Sequence, residues 1–377
     1  MNNSLTPTYT KQFGDKWVLW FAKSNSYSVV ESSFKNLLDV YLDAYSLDVF
    51  KTTLADNGVD LNIEDLVETF TNYLSDSNQP RDISKLKNIS LDTTNRNILK
   101  QYSIKGKSIQ VFYDSELVQN IIHPALSHLT VEPSHCVQTT FDIYLRDDDL
   151  LFFKDEKLII KVFKKDYHLL QGKFIMHLLC TIHHKHENEW ISTFHGSTIT
   201  DGNTSILFIG ESGKGKSTLC ALLNASGFDL LADDVSPMLS ENKNIYYNPS
   251  AISIKEGAFD TLQPIINNFE NLPIVQFNKT KGRLKYVPCN SPSKNNYPCK
   301  AIILVNYENK VKTQLEKVCI KTVLETLIPE SWLSPNPLHA IKFLDWLETV
   351  NTYKLTYNNT KSVTEKVSDL FKQLNKS

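Results

Sequence analysis

The first 80 residues alternate between short apolar runs that predict strands and longer amphipathic runs that predict helices. Three runs of aromatic and β-branched residues predict strands over residues 8–13, 16–22 and 26–31. Three amphipathic stretches follow, and each begins behind a capping residue: Ser32, Ser46 and Asn62. A polar linker over residues 75–82 ends the unit. The order predicts a small α+β unit of three strands and three helices, in the size range of a winged helix.

The pattern changes to strands between residues 84 and 166. Extended segments are predicted over residues 107–113, 141–145, 150–153 and 158–163. Charged turns at 146–149 and 154–157 separate the last three segments, which predicts an antiparallel meander. A single helix is predicted over residues 167–186.

Beyond residue 190 the pattern is typical of an α/β layer. A short strand is predicted over residues 190–199, and buried strands are predicted over residues 205–209, in the apolar approach to Asp233 after Gly227, and over residues 301–305. Asp201-Gly202-Asn203 predicts a tight turn between the first two. Residues 315–371 predict mostly amphipathic helices.

The strand at 205–209 runs directly into a glycine-rich loop with the sequence Gly210-Glu211-Ser212-Gly213-Lys214-Gly215-Lys216-Ser217-Thr218. Gly210 to Ser217 fits the phosphate-loop pattern G-x-x-x-x-G-K-[ST], with a strand before it and a helix after it. Glycine tolerates positive φ, so successive backbone N–H groups can point inward, and the helix N-terminus adds its own. Only 12 of the 377 residues are glycine, so a coincidental turn is a weak alternative. These nine residues are therefore predicted to bind ATP, with Lys216 on the β- and γ-phosphates and Ser217 on Mg²⁺.

Two carboxylates and a histidine flank the loop in sequence. Asp233 and Asp234 end a predicted buried strand, and phosphoryl transfer needs a base for the acceptor hydroxyl and a carboxylate for Mg²⁺. Adjacent strand residues point to opposite faces, so both can serve only if the strand ends and the chain bends there. Otherwise one carboxylate is functional and the other is a cap. His195 lies one hairpin before the loop and is equally well explained as a site residue or as a structural histidine.

Composition narrows the classes of partner and compartment. The formal net charge is −2, and the third predicted helix carries Glu64, Asp65 and Glu68 instead of a basic face, which argues against nucleic acid. No apolar run approaches the roughly 18 residues of a membrane span. The six cysteines contain no C-x-x-C pair, and the N-terminus has no signal-peptide pattern. We therefore expect a cytoplasmic protein with reduced thiols and no membrane or nucleic-acid partner.

Three segments together resemble the HPr kinase/phosphorylase family, which shares an architecture with ATP-using phosphoenolpyruvate carboxykinase. They are His195-Gly196, the phosphate loop, and Gly227-Phe228-Asp229-Leu230-Leu231-Ala232-Asp233-Asp234. The resemblance implies an α/β P-loop domain with a mixed sheet. It implies Asp233 as the general base and Asp234 as the likelier Mg²⁺ partner beside Ser217, with the reverse assignment left open.

The same resemblance extends more weakly to residues 248–257. Lys255 stands there in the place of an arginine that approaches the transferred phosphate in the family. The catalytic set implied by the resemblance is Asp233, Lys216, His195 and Lys255. The signature by which the family binds HPr is not recognisable in this chain.

The N-terminal unit resembles the PqqD-like domain, the element that binds leader peptides in the maturation of ribosomally made peptides. The matching features are the strand Trp17-Val18-Leu19-Trp20-Phe21, the strand at 26–31 that runs into a helix, and the helix at 64–74. In that family the peptide adds as a strand beside the third strand and packs on the third helix. The implied peptide contacts are Tyr27, Val29, Glu31, Asp65, Glu68 and Thr69. A scaffold or oligomerisation module is the alternative.

These observations predict two domains and a reaction. Residues 1–80 are predicted to bind the leader peptide, and residues 84–377 to form the kinase domain, with a strand-rich part at 84–166 and a nucleotide-binding core at 190–377.

The predicted reaction is transfer of phosphate from MgATP to a hydroxyl, of serine or threonine, in a precursor peptide. Kinases that resemble this one occur beside lasso-peptide maturation systems. The alternatives are a small-molecule kinase with a structural N-terminal unit and a non-catalytic nucleotide-binding regulator. Homo-oligomerisation stays open.

Overall fold

Three antiparallel strands and three helices at the N-terminus enclose an apolar core of their own. The structure, a computed structural model, describes residues 5–58, 62–80, 89–134, 136–276, 282–309 and 311–376. Leu19, Phe21, Phe50 and Phe70 are fully buried between the sheet and the helices. The elements are β1 (Tyr9–Phe13), β2 (Lys16–Phe21), β3 (Ser26–Glu31), α1 (Ser32–Asp43), α2 (Leu47–Asp56) and α3 (Ile63–Ser77). The predicted order of these strands and helices is confirmed. The resemblance of the unit to PqqD-like domains stays a prediction.

Two of the three predicted helix caps are present. The Ser46 side chain accepts a hydrogen bond from the backbone of Val49, and Asn62 accepts one from Glu64. The cap predicted at Ser32 is wrong, because Ser32 is already the first residue of α1 and its hydroxyl donates to the backbone oxygen of Asp15 (2.8 Å). The predicted linker also begins too early, since α3 continues to Ser77. The boundary predicted between residues 80 and 84 lies outside the described residues.

A six-stranded sheet with two helices follows. Its strand order is β6-β4-β5-β7-β8-β9, and its elements are β4 (Ile98–Ile104), β5 (Lys107–Tyr113), α4 (Glu116–Leu126), β6 (Thr130–Val131), β7 (Thr139–Arg146), β8 (Asp149–Lys154), β9 (Lys157–Phe163) and α5 (Tyr167–His183). The meander predicted for the last three strands is confirmed. Sequence reasoning missed β4 and the helix α4, which carries the chain from β5 to the parallel strand β7.

The C-terminal part is a mixed α/β layer around a ten-stranded sheet. Its elements are β10 (Trp190–His195), β11 (Ser197–Thr200), β12 (Ser205–Ile209), α6 (Lys216–Ala225), β13 (Asp229–Ala232), β14 (Val235–Leu239), β15 (Asn244–Tyr246), β16 (Ile252–Lys255), α7 (Phe259–Leu262), β17 (Val275–Gln276), β18 (Arg283–Val287), β19 (Asn296–Tyr307), β20 (Gln314–Lys317), α8 (Ile320–Leu327), β21 (Trp332–Leu333), α9 (Pro337–Thr349), β22 (Asn351–Tyr357) and α10 (Thr360–Leu374). Strand β12 lies between antiparallel β11 and parallel β19, and β22 pairs in parallel with β19 on its other side.

Two predictions for this part are corrected. The single strand expected over residues 190–199 is broken at Gly196, so that β10 pairs with β14 while β11 pairs with β12. A Cβ on Gly196 would lie 2.6 Å from the backbone oxygen of Phe208, which explains why only glycine fits at the break. The helices expected after residue 315 are interrupted by three strands, of which β22 belongs to the parallel centre of the sheet. No helix in the described ranges has the length and apolar character needed to cross a bilayer.

The N-terminal sheet packs one face on its own helices and the other on helix α9. Val18 is fully buried in this contact, and Tyr27 meets Phe343 edge to face with ring centroids 5.6 Å apart. At the rim, the Lys11 ammonium contacts the carboxylates of Asp345 and Glu348. The unit is therefore attached to the rest of the chain through an apolar interface with a charged edge.

Replacing Tyr27 with alanine should destabilise the whole protein, because it removes a half-buried ring from this interface. We expect the free energy of unfolding to fall by about 2–4 kcal/mol, measured by urea denaturation. Tyr45→Ala is the matched control, since Tyr45 belongs to the same unit and is 85% exposed. Equal effects of the two substitutions would contradict the interface.

Candidate phosphoryl-transfer site

The glycine-rich loop follows β12 and leads into α6, as its sequence predicts. Gly210, Gly213 and Gly215 all have positive φ, at +144°, +88° and +89°. A Cβ on Gly210 would lie 2.9 Å from the backbone oxygen of Val305 on the neighbouring strand. The fold therefore requires glycine here to bring the loop close to β19.

Two tyrosines at the ends of β19 and β22 support the loop from one side. The Tyr357 hydroxyl donates to the backbone oxygen of Gly215 (3.1 Å). The backbone N–H of Tyr307 donates to the backbone oxygen of Lys214 (3.1 Å). A Cβ on Gly215 would lie 2.7 Å from the Tyr357 hydroxyl. Neither tyrosine could be predicted as a site residue, because their contact with the loop depends on the order of strands in the sheet.

Both predicted lysines lie at the loop. The Lys216 ammonium is buried and donates to the backbone oxygens of Gly210 and Glu211. Burial lowers the pKa of Lys216, and the nearby carboxylates, led by that of Asp234, oppose this shift. The Lys255 ammonium donates to the Ser212 hydroxyl (2.9 Å). The arrangement brings two cations to the cup of backbone N–H groups that the loop and α6 form.

Asp233 is the buried centre of the site, with a side chain that is 2% exposed. Its carboxylate accepts hydrogen bonds from the hydroxyls of Ser197 (2.5 Å) and Ser217 (3.0 Å) and from the backbone N–H of Ser253 (3.0 Å). These donors come from β11, the start of α6 and β16. One carboxylate therefore joins the phosphate loop to two strands that are distant in sequence.

Burial raises the pKa of the Asp233 carboxyl, and the charge of Asp234 raises it further, whereas the three hydrogen bonds lower it. The surroundings therefore disfavour the charged form of Asp233, and a cation bound beside the carboxylate would favour it. Ser217 and Asp233 supply two hard oxygen atoms, the ligand type that Mg²⁺ prefers. Within the described ranges no cluster of three His, Cys, Asp or Glu side chains could hold a metal. Mg²⁺ at Ser217 and Asp233 would thus complete its shell with phosphate oxygens and water, as is usual for this ion.

The chain bends at the two aspartates, which is the condition under which both can serve one site. Strand β13 ends at Ala232, Asp234 has a φ of +65°, and the Val235 N–H donates to the backbone oxygen of Asp233 (2.7 Å). This three-residue turn is a strained conformation for a residue other than glycine. The bend lies at the aspartates themselves, between the end of β13 at Ala232 and the start of β14 at Val235.

The exposed Asp234 and the partly buried His195 form a pair next to the buried carboxylate. Asp234 is 61% exposed, and its carboxylate lies 3.4 Å from Nδ1 of His195. The backbone N–H of His195 donates to the Ser331 hydroxyl (3.2 Å). This contact brings the loop after α8 to the site. Tyr286, paired with Ser253 across β16 and β18, is also close, since the charges of both aspartates add to the effect of burial in raising its pKa.

The residues predicted to bind peptide lie on two separate surfaces. Tyr27 and Val29 face α9, and the Glu31 carboxylate pairs with Lys16. Asp65, Glu68 and Thr69 are exposed on α3, which packs against the opposite face of the sheet. A peptide added to the edge of β3 would therefore meet the strand's backbone, while the Tyr27 and Val29 side chains stay in the interface with α9.

Comparisons with protein-family models and with curated proteins find no match for this chain. Among solved structures, the chain is similar to the Hpr(Ser) kinase/phosphatase from Coxiella burnetii, with 13% identity and a TM-score of 0.24. The match covers 48% of this chain and 98% of that chain. A likeness of this size carries no conclusion about the activity of this chain.

Gly215→Ala and Gly213→Ala should differ in their cost to stability. Both residues have a φ near +90°, so each alanine carries backbone strain of roughly 1–2 kcal/mol. Only the alanine at 215 would also collide with Tyr357, whereas nothing lies within 4 Å of a Cβ at 213. We expect a clearly larger loss of unfolding free energy for Gly215→Ala in urea denaturation. Equal losses would show that Tyr357 does not confine the loop.

Proposed function

We propose that this protein is an ATP-dependent kinase that phosphorylates a hydroxyl of a ribosomally made precursor peptide. The observation that carries the proposal is the contact between Ser217 of the phosphate loop and the buried Asp233, with the exposed Asp234 and its partner His195 beside it. A phosphate cup, an oxygen pair suited to Mg²⁺ and an accessible base are the three parts that phosphoryl transfer to a hydroxyl needs.

The geometry favours the reverse of the roles that the family resemblance implies for the two aspartates. Asp233 is buried and bonded to Ser217, so it suits the Mg²⁺ partner of that hydroxyl. Asp234 is exposed and contacts His195, so an incoming hydroxyl can reach it. We therefore assign proton acceptance to Asp234, with His195 orienting it, and the metal contact to Asp233.

The transfer then follows from these positions. Asp234 takes the proton of the acceptor hydroxyl as its oxygen forms a bond to the γ-phosphorus. The bond between the γ-phosphorus and the bridging oxygen breaks, and ADP leaves with that electron pair. Lys216 and Lys255 neutralise charge on the equatorial and bridging oxygens, and Mg²⁺ when bound adds to this neutralisation.

The choice of a peptide as acceptor rests on the N-terminal unit. In the described ranges β3 pairs on one side only, with β2, so its other edge suits the addition of a peptide strand. Helix α3 exposes Glu64, Asp65 and Glu68, which would attract a basic leader segment. Holding the leader there raises the effective concentration of the acceptor at the site.

A small-molecule kinase is the second candidate, and one observation favours it. The N-terminal sheet buries Val18 and Tyr27 against α9, which is what a purely structural unit would do. A non-catalytic nucleotide-binding regulator is the third candidate.

Asp234→Asn should abolish transfer without abolishing binding. Loss of a general base lowers the rate by about 10²–10⁴-fold, while the Kd for MgATP should stay within a few-fold of the wild type. The measurement is transfer of label from γ-labelled ATP to candidate precursor peptides and to a metabolite extract. Asp229→Asn on β13 is the matched control, since Asp229 lies at the far end of the same strand.

The destination of the label separates the three candidates. Label on the peptide that Asp234→Asn removes supports the proposal. Label on a metabolite alone favours the small-molecule kinase and contradicts a peptide acceptor. ATP binding with no transfer to either pool favours the regulator.

Reversing the charge of Asp65 and Glu68 to lysine should weaken peptide capture and spare the chemistry. We expect the KM for peptide to rise roughly tenfold, the effect of two exposed charge contacts of about 0.7 kcal/mol each. The kcat and the KM for ATP should not change. The matched control reverses Glu365 and Asp369, two exposed acids on α10. An unchanged KM would contradict a role of α3 in leader binding. Surface substitutions are preferable to deletion of residues 1–80, because the deletion would expose the face of α9 on which the N-terminal sheet packs.

A further inference from the structure

We propose that Tyr307 is the platform on which the base of the bound nucleotide stacks. The inference rests on the proposed function to the extent that it takes a nucleoside triphosphate to occupy the loop. It concerns the base, for which the phosphate-loop pattern names no residue. The chemistry to be recognised is a purine ring with two aromatic faces.

Sheet topology determines on which side of the loop the base must lie. Strands β12, β19 and β22 are parallel, so the loop, Tyr307 and Tyr357 all lie at their carboxyl ends, where ligands bind in α/β sheets. Asp233 follows β13, which lies on the opposite side of β12 beyond β11. Since Asp233 and Asp234 mark the γ-phosphate end, the base end of the nucleotide extends toward β19 and β22.

Tyr307 is held rigidly at that position. Its backbone N–H donates to the backbone oxygen of Lys214 in the loop (3.1 Å). The backbone N–H of the next residue, Glu308, donates to the backbone oxygen of Tyr357 (3.0 Å). Its ring contacts the Tyr357 ring edge to face, with centroids 5.4 Å apart and planes at 72°. The backbone and one side of the ring are therefore fixed before any ligand arrives.

The exposure of the two tyrosines assigns them different tasks. Tyr357 is 2% exposed and donates to Gly215, so it supports the loop. Tyr307 is 44% exposed although it ends a strand in which Tyr297, Ile303 and Val305 are buried. An exposed, preorganised aromatic ring next to a phosphate cup suits a base, because stacking needs only a flat face and loses little entropy on a rigid ring.

The test compares two ligands that share phosphates and differ in the base. We expect Tyr307→Ala to raise the Kd for ATP about tenfold or more and to leave the Kd for inorganic tripolyphosphate unchanged, both measured by calorimetry. Tyr307→Phe should keep the affinity of the wild type for ATP, since it keeps the ring. Tyr45→Ala is the control for loss of an exposed tyrosine far from the loop.

A second variant gives a readout that does not depend on the stability of Tyr307→Ala. With Tyr307→Trp, ATP should quench the new indole fluorescence and tripolyphosphate should not. Equal weakening of both ligands by Tyr307→Ala, together with no ATP-specific quenching, would mean that Tyr307 only supports the loop and would overturn the inference.

The wild type alone separates this inference from the proposed function. Binding of tripolyphosphate as tightly as ATP would show that the base contributes nothing, which overturns the role of Tyr307 and leaves the phosphate site intact. Binding of neither ligand would overturn the proposed function and this inference with it.

Discussion

The candidate site depends on one buried carboxylate, that of Asp233. Burying an anion is unfavourable unless donors or a cation compensate for the lost water. Here the compensation comes from two hydroxyls and one backbone N–H on three separate elements, so the carboxylate fixes the distance between the phosphate loop, β11 and β16. Burial and the charge of Asp234 raise the pKa of Asp233 in spite of these donors. A cation bound beside Asp233, such as the Mg²⁺ of the proposed function, would complete this compensation.

Unusual backbone surrounds this carboxylate. Asp234 adopts positive φ in a three-residue turn, three loop glycines do the same, and Gly196 breaks a strand where no Cβ fits. Such conformations cost free energy and persist where the surrounding structure enforces them. Their effect is to end strand β10 at His195 and strand β13 at Ala232, directly before Asp233, so that groups from different strands meet at the mouth of the loop.

The parts that could be predicted from sequence are those encoded by contiguous residues. The loop is a fixed pattern between a strand and a helix, and the order of elements in the N-terminal unit follows from periodicity and the caps at Ser46 and Asn62. Ser197, Ser253 and Tyr357 could not be predicted as site residues, because a hydroxyl or phenol in a strand has no signature until the sheet order brings it to the loop. The packing of Tyr27 on α9 could not be predicted either, since the two faces of one sheet can pack on different partners. Strand β22 was missed because it is short and lies between the amphipathic helices α9 and α10, although Tyr353, Leu355 and Tyr357 alternate with polar residues as in a strand.

The most direct measurement is the dependence of ATP affinity on Mg²⁺ in the wild type and in Asp233→Asn. If Asp233 and Ser217 hold the metal, Mg²⁺ should tighten ATP binding in the wild type and give little or no tightening in the variant, while the affinity for metal-free ATP stays similar. Full retention of the Mg²⁺ effect in Asp233→Asn would contradict the account, because the metal would then be bound without the carboxylate around which the site is built.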